Sequence, residues 1–251
     1  MNTYRTSQIA DIIGIHPNTV RLYEELGLIP KPERQSNGYR IFTDLHIAIF
    51  KLARIGLQIE VLQNGLRKKI VTMIKTAASE NYDYALTLTH EYLYQIHQEQ
   101  QNAEEAVNIV KQLLSGEQDT KILKMKRKEV SKYLGISMGS LRNWEMNGLL
   151  SVKRTENGYR IYTNEDIKRL KIIRSLRCAN YSLESILRML NALSYNPQVN
   201  IKEVLNTPKA TDDIISVCDK LIISLNAAEN NAKSIIQQLN NIKIKFANSP
   251  L

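Results

Sequence analysis

The sequence predicts a mainly α-helical protein with small β-hairpins, built as two similar domains that are each followed by a long helix. Three observations predict this fold class. The 251-residue chain exceeds the usual size of one domain, it repeats itself at a separation of about 120 residues, and it carries two long segments with apolar residues at alternating steps of four and three. Its composition, 43% apolar and 24% charged, is that of an ordinary globular protein.

The internal repeat is clearest in a ten-residue segment. Residues 34–43 read Arg-Gln-Ser-Asn-Gly-Tyr-Arg-Ile-Phe-Thr, and residues 154–163 read Arg-Thr-Glu-Asn-Gly-Tyr-Arg-Ile-Tyr-Thr, with seven identities. Further upstream the separation is 121 residues: Gly14-Ile15, Arg21, Glu24 and Gly27-Leu28 return as Gly135-Ile136, Arg142, Glu145 and Gly148-Leu149. A repeat of this length indicates a duplicated domain, which we place at residues 1–78 and 126–193.

Each copy is expected to begin with two short helices. In the first copy the helix from Thr6 to Ile13 has Ile9, Ile12 and Ile13 on one face and ends at Gly14. A second helix follows directly, with His16 as N-cap and Pro17 at the first helical position, and Ser137 is the corresponding N-cap in the second copy. Two short helices joined by a glycine-containing turn form a helix-turn-helix.

A β-hairpin and a third helix are predicted to follow the helix pair. Pro30 and Pro32 precede an Asn37-Gly38 pair that is flanked by β-prone residues, and the pair returns as Asn157-Gly158. A hairpin at this place is the wing of a winged helix-turn-helix. Thr43 and Thr163 are then expected to cap the third helix, the latter with Asp166 as capping-box partner.

These elements carry residue types that suit DNA. A recognition helix needs short polar side chains and a cation near its N-terminal end in order to reach base edges, and the wing arginines and tyrosines suit phosphate contact. For Tyr23 and Trp144, packing and phosphate contact remain open alternatives. The predicted DNA-binding residues are His16, Asn18, Thr19, Arg21, Tyr23, Arg34, Tyr39 and Arg40 in the first copy and Ser137, Ser140, Arg142, Trp144, Arg154, Tyr159 and Arg160 in the second.

The net charge of +9 is unevenly distributed along the chain. Residues 1–80 carry 11 basic and 7 acidic side chains, residues 81–120 carry 1 and 7, and residues 121–195 carry 16 and 6. Two basic blocks separated by an acidic one predict two surfaces that meet a polyanion and a spacer that does not.

Two long coiled-coil helices are predicted at residues 81–115 and 211–246, joined to the domains by a linker at 116–125 and a connector at 194–210. All ten seam positions of the second helix, from Ile214 to Phe246, are apolar, and seven of nine are apolar in the first. Our hypothesis is that the two helices pair within one molecule. The alternative is a homodimer with four DNA-reading domains.

The residues that recur in both copies resemble the MerR family of bacterial transcription regulators. The resemblance covers about residues 4–75 and 125–193 and depends on Arg21, Tyr23, Glu24, Gly27-Leu28 and Gly38-Tyr39-Arg40. It departs from the family at Leu22 and Asn143, where the family has an aromatic residue. It implies binding to promoter DNA that is bent or underwound between half-sites, with RNA polymerase as a second partner. Family members usually carry one such domain and dimerise through a long helix. A single chain with two such domains and two long helices is therefore expected to imitate that dimer.

No catalytic, cofactor or metal site is expected. His90 and His97 stand seven residues apart on a helix, too far to share one metal ion, and Cys178 and Cys218 are expected to be two buried thiols. Packing is favoured over a ligand groove for Tyr82, Tyr84, Tyr92 and Tyr94. No apolar run approaches 18 residues and Met1 to Ile13 lack a long apolar signal core, so neither a membrane span nor secretion is supported and we expect a cytoplasmic bacterial protein.

The sequence therefore predicts a non-enzymatic, sequence-specific regulator that binds double-stranded DNA through two winged domains. Because their recognition helices differ, the half-sites should be unlike. Two other classes stay open: an architectural or recombination-accessory protein that bends DNA with weak base preference, and a protein-interaction module that uses the coiled coil.

Overall fold

A computed structural model describes residues 2–58, 64–115, 124–195 and 214–247 of the chain. The chain divides into two compact units, one formed by Met1–His97 with Asn226–Leu251 and the other by Gln98–Leu225. Each unit therefore contains one copy of the repeat and a part of each long helix. The predicted class, mainly α-helical with small antiparallel sheets, is confirmed.

The two copies contain the same elements in the same order. The first has strand β1 (Thr3–Tyr4), helices α1 (Thr6–Ile13) and α2 (Pro17–Glu25), strands β2 (Glu33–Arg34) and β3 (Arg40–Thr43), and helices α3 (Asp44–Leu57) and α4 (Leu66–Ala78). Helix α5 (Tyr82–Ser115) leads into the second copy. That copy has β4 (Lys124–Lys126), α6 (Arg127–Leu134), α7 (Met138–Met146), β5 (Lys153–Arg154), β6 (Arg160–Thr163), α8 (Asn164–Cys178) and α9 (Leu183–Tyr195). The last helix is α10 (Ile214–Ile242), which ends in a π-helical turn, Lys243–Ala247.

Each copy has a three-stranded antiparallel sheet, ordered β1-β3-β2 in the first and β4-β6-β5 in the second. The predicted hairpins are formed by β2 with β3 and by β5 with β6, with Arg34 opposite Arg40 and Arg154 opposite Arg160. The first strand was not predicted. Residues 124 and 125, which the sequence placed in a linker, belong to β4 and pair with β6, Lys124 standing opposite Thr163. Strands of two or three residues carry no period-two pattern, and their partners lie about forty residues away, so local reasoning does not find them.

The helix ends follow the predicted capping pattern. Gly14 and Gly135 end α1 and α6 with left-handed φ values of 71° and 62°. The Nδ1 atom of His16 accepts a hydrogen bond from the Asn18 amide at 3.1 Å, and the Oγ atom of Ser137 accepts one from the Ser140 amide at 2.9 Å. Both N-cap predictions are confirmed, and they fix where α2 and α7, the predicted recognition helices, begin.

The third helix of each copy is capped by a different partner. In the second copy the Thr163 amide donates to Asp166 at 2.8 Å and the Asp166 amide donates to the Thr163 hydroxyl, which is the predicted capping box. In the first copy the partner of Thr43 is His46, whose Nδ1 atom accepts from the Thr43 amide at 3.0 Å. The imidazole thus performs the same task as the carboxylate.

Each unit has its own apolar core. In the first, Ile9, Val20, Phe42 and Phe50 are buried, whereas Ile12, on the predicted apolar face of α1, is 46% exposed. Ala10, which the isoleucine pattern passed over, is buried in the short helix α1. The core of the second unit joins the second copy of the repeat to helix α5 and contains Val107, Val110, Val130, Leu141, Trp144, Leu149, Tyr162, Leu170 and Ile173.

The long helices are amphipathic in the predicted register. The seam residues of α10 from Leu221 to Ile242 are all buried, and so are Thr89, Ile96, Ala103, Val107 and Val110 of α5. The predicted seam residues Leu86, Leu93, Gln100 and Phe246 are only half-buried, and the side chains of Leu114, Ile214 and Cys218 lie outside the described residues. Within the described residues, no helix is both long and apolar enough to cross a membrane.

In the first unit, helices α5 and α10 run antiparallel. The Nζ atom of Lys243 contacts the Asp83 carboxylate, and the Nε2 atom of His97 lies 3.4 Å from the Glu229 carboxylate. From residue 83 to 97 and from residue 243 to 229 the two helices advance by the same fourteen positions in opposite directions. An equal rise along both helices indicates side-by-side packing over about four turns.

Candidate nucleic-acid interface

A glutamate on each recognition helix holds the wing of the same copy. Glu24 on α2 accepts hydrogen bonds from Arg40 and, at 3.3 Å, from Arg34. In the second copy Glu145 on α7 accepts from the Nε atom of Arg160 at 2.5 Å and pairs with Arg154 at 3.8 Å. Both glutamates are mostly buried, with 11% and 18% of their side chains exposed. Each recognition helix and its wing are therefore joined by a carboxylate between two guanidinium groups.

The role of these glutamates was missed in the sequence, although a signal was present. Glu24 recurs as Glu145 at the same separation as the arginines of the recognition helices. The hydrogen bond to Glu145 raises the pKa of Arg160 above its ordinary value. Because Arg40 and Arg160 are anchored in this way, they position the wing in addition to offering positive charge.

The recognition helix of the first copy presents a pre-oriented arginine. Arg21 and Asn18 are exposed, and the Nη1 atom of Arg21 donates to the Asn18 side-chain oxygen at 3.0 Å. Thr19 is half-buried, and the exposed ring of His16 already accepts the capping hydrogen bond. Asn18 and Arg21 are therefore the predicted residues of this helix whose remaining side-chain hydrogen-bonding groups are available to base edges.

The recognition helix of the second copy has a different chemistry. Gly139 stands where the first copy has Asn18, so the exposed Arg142 has no matching side chain to hold it. The Ser137 and Ser140 hydroxyls lie 2.9 Å apart, and Ser137 also caps the helix. The two helices thus differ at every predicted reading position except the arginine.

The wing tips are similar in both copies and protrude. The side chains of Tyr39 and Tyr159 are 69% and 68% exposed, an unusual setting for large aromatic residues. Gly38 and Gly158, which precede them, have left-handed φ values of 82° and 77° that allow the tight turn. Each exposed tyrosine directly precedes the last strand of its hairpin, and its hydroxyl can donate a hydrogen bond to a ligand.

Tyr23 and Trp144 lie in the cores of their units. They are 7% and 6% exposed, and the Tyr23 ring stacks on Phe50 with 5.3 Å between ring centroids. Of the two alternatives that the sequence left open for these residues, packing is the one that this burial favours.

An open groove of about 480 Å³ is lined by predicted DNA-binding residues of the first copy. It lies between the start of α1, the recognition helix and the wing tip, and its cationic side chains are Arg5, Arg21 and Arg40, with Tyr39 at the edge. Arg5 was not predicted, because a single arginine before a helix gives no local signal. Three guanidinium groups around one groove favour an anionic ligand such as a phosphate.

The other candidate sites receive no support from the side-chain positions. Among the described residues, no group of three or more His, Cys, Asp or Glu side chains could hold a metal ion. Tyr82 and Tyr92 are buried whereas Tyr84 and Tyr94 are exposed, so these four tyrosines do not line one groove. Burial raises the pKa of Tyr82 and of Tyr92 to about 12. Cys178 is fully buried, and the side chain of Cys218 lies outside the described residues.

Two segments of the chain match profiles of one protein family. Residues 125–193 match the MerR HTH family of regulatory proteins, and residues 5–42 match the profile of MerR family regulatory proteins. Each match contains a helix-turn-helix and its wing strands. No solved structure gives a significant match to the chain.

The similar curated proteins are bacterial regulators. The mercuric resistance operon regulatory protein of Bacillus cereus is 31% identical over 88 residues, which is 33% of this chain and 64% of that protein. A probable heavy metal-dependent transcriptional regulator of Haemophilus influenzae is 38% identical over 77 residues, 30% and 59% of the two chains. The HTH-type transcriptional activator mta of Bacillus subtilis is 27% identical over 116 residues, 44% and 45% of the two chains. The chain thus spans less than two thirds of the length of each of these relatives, and the similarity that both copies of the repeat share is to the helix-turn-helix regulators of the MerR family.

Proposed function

We propose that this chain is a sequence-specific, double-stranded DNA-binding regulator of transcription, in which two winged heads read the two half-sites of a promoter. We define the first head as residues 1–78 and the second head as residues 126–193. The observation that supports this proposal is the repeated Glu–Arg cluster, Glu24 with Arg34 and Arg40 and Glu145 with Arg154 and Arg160. It holds an exposed recognition arginine and a protruding wing in one fixed arrangement in both heads.

The geometry supports two kinds of contact. We infer that Arg21 and Arg142, with Asn18 and Ser140, read base edges in the major groove. Tyr39, Tyr159 and the outer arginines, Arg34 and Arg154, are proposed to contact phosphate groups. Such contacts hold the protein in position on DNA without reading the base sequence. Because the reading residues of the two heads differ, the DNA site should consist of two unlike half-sites at a fixed spacing.

We infer that one chain imitates a dimer of single-headed regulators through its two long helices. The antiparallel contacts of Asp83 with Lys243 and of His97 with Glu229 support a coiled coil between residues 81–115 and 211–246. Light scattering should then give the mass of one chain, 28.8 kDa. Twice that mass, with unfolding linked to dissociation, would favour the homodimer with four heads.

The experiment that tests the function is selection of binding sites from a random duplex pool at near-physiological salt. Two unlike half-sites at a fixed spacing would support the regulator. The matched control is a variant in which Arg21 and Arg142 are both replaced by alanine, which should still bind DNA but should enrich no motif. The same selected site, placed before a reporter, would show whether the bound protein changes transcription, and binding of RNA polymerase to the protein–DNA complex would test it as the second partner.

Other outcomes distinguish the competing functions. Salt-sensitive binding by the unaltered protein with no enriched motif would favour an architectural or recombination-accessory protein, because such binding rests on phosphate contacts. No binding to duplex DNA even at low salt would contradict both and would favour a protein-interaction module.

A further inference from the structure

The two heads differ in charge at the rim beside the recognition helix. In the first head this rim consists of Arg5, Thr6 and Ser7, which line the groove next to Arg21. A shift of 121 residues places Lys126, Arg127 and Lys128 at the same positions of the second head. One cation is thus replaced by three at equivalent places in the fold.

The difference extends along the whole first strand and helix of each copy. Residues 3–13 contain one cation, Arg5, and one acid, Asp11, whereas residues 124–134 contain five cations and one acid. The net charges are therefore 0 and +4. Lys132 stands where the first head has Asp11, so that position reverses its sign.

The lysines of the second rim are available to a ligand. The structure exposes Lys124, Lys126, Lys128 and Lys132, and within the residues it describes none of them forms an ion pair. The nearby acid does not neutralise them, because the Glu129 carboxylate accepts a hydrogen bond from the Lys126 backbone amide at 2.7 Å and so caps helix α6.

The second rim is also attached to the recognition helix. A guanidinium nitrogen of Arg127 donates to the backbone carbonyl of Met138, the first residue of α7. The cations on this rim are consequently held beside the helix that we propose to enter the major groove.

We propose that Lys126, Arg127 and Lys128 grip the DNA phosphate backbone, so that the second head supplies most of the sequence-independent affinity of the chain and the first head contributes fewer phosphate contacts. This inference depends on the proposed DNA-binding function. A second head that holds any duplex leaves the first head to discriminate between sites. Each phosphate that a cation neutralises releases counterions. It therefore steepens the slope of the logarithm of the binding constant against the logarithm of salt concentration by about 0.9.

The test measures affinity of the full chain for a labelled random-sequence duplex between about 50 and 200 mM potassium chloride. The variant with Lys126→Gln and Lys128→Gln should bind more than about tenfold more weakly at low salt, with a slope reduced by about 1.8. The matched control is Lys68→Gln with Lys75→Gln, which removes the same charge from exposed positions of α4 and should leave the slope nearly unchanged.

A gain-of-charge variant tests the same rim in the first head. Thr6→Arg with Ser7→Lys copies the second rim onto the first. The two added cations should steepen the salt dependence of binding by about 1.8 in the logarithmic slope. The inference is overturned if the Lys126/Lys128 variant retains the slope of the Lys68/Lys75 control, or if the gain-of-charge variant leaves the slope unaltered. Failure of the unaltered chain to bind duplex at the lowest salt would instead overturn the proposed function itself.

Discussion

Arg174 and Glu99 form a buried bidentate ion pair that fastens helix α8 to helix α5 in the second unit. The two guanidinium nitrogens lie 2.8 and 2.7 Å from the carboxylate oxygens, and the side chains are 12% and 3% exposed. One turn away, the Ser175 hydroxyl donates to the Asn102 carbonyl at 3.1 Å. Helix α8 thus contacts helix α5 through these polar side chains as well as through the apolar core of the second unit.

Loss of one partner of this pair should be costly, because it leaves an uncompensated buried charge. We expect Glu99→Gln to lower the free energy of unfolding of the second unit by about 3 kcal/mol. Trp144 is the single tryptophan of the chain and lies in this unit, so its fluorescence during urea unfolding reports the change. Glu184→Gln, which breaks an exposed pair with Arg188, is the control and should cost no more than about 0.5 kcal/mol.

The same pair can be replaced instead of broken. Substituting methionine at both Glu99 and Arg174 should recover most of the stability that Glu99→Gln loses, because no buried charge then remains. If the single and double variants are equally destabilised, packing rather than charge dominates at this contact.

In the first unit, helix α3 of the first head and the residue that follows it contact helix α10 through neutral hydrogen bonds. The Asn231 side-chain amide donates to the Ile55 carbonyl and to Gln58, both at 3.2 Å. Arg54, which corresponds to Arg174 in the repeat, is exposed and forms no ion pair among the described residues. The duplication has therefore kept the position of the attachment and changed its chemistry.

Glu145→Gln should weaken specific DNA binding more than non-specific DNA binding. The substitution weakens the link between α7 and its wing, and it also removes a negative charge close to the proposed phosphate contacts. We expect the ratio of specific to non-specific affinity to fall by about tenfold, mainly through the specific complex, in titrations with selected and random duplexes. Glu156→Gln, at an exposed position near the wing turn, removes the same charge and should preserve the ratio. Equal effects of the two substitutions would show that charge, not wing position, explains the result.

The two recognition arginines should act on different half-sites. We expect Arg21→Ala to relax base preference in one half-site and Arg142→Ala in the other, at a cost of about 1 to 3 kcal/mol of discrimination each. Site selection followed by sequencing measures both. Asn18→Ala should reproduce a part of the Arg21 effect, because it removes the oxygen that orients the guanidinium group. A variant that weakens both half-sites equally would contradict the assignment of one head to each.

Local sequence patterns predicted the elements that short-range chemistry determines. The spacing of Thr163 and Asp166 predicted their capping box, and the Asn-Gly pairs predicted both wing turns. The strands β1 and β4 were missed because their partners are remote in the chain, and so was the pair of Glu99 with Arg174, which are 75 residues apart. The burial of Tyr23 and Trp144 could not be predicted because an aromatic residue on an amphipathic helix suits both core packing and ligand contact.

His46 is a buried neutral histidine that should make the stability of the first unit depend on pH. Its Nδ1 atom accepts the capping hydrogen bond from Thr43, which requires the neutral ring, and burial lowers its pKa to about 4 against the opposing effect of Glu24. The unfolded chain takes up the proton near the ordinary pKa of 6.5. The contribution is therefore fully present above pH 6.5 and is lost as the pH falls from 6.5 towards 4.

The loss across this window should reach about 3 kcal/mol, since each unit of pKa difference corresponds to about 1.4 kcal/mol. His46→Gln keeps a side-chain acceptor at the capping-box position but does not titrate. We expect urea unfolding, followed by helical circular dichroism at about pH 7 and about pH 5, to show a smaller loss of stability for this variant than for the unaltered protein. Comparing the two proteins cancels the titration of the carboxylates, so an identical loss in both would mean that His46 keeps its ordinary pKa in the folded state.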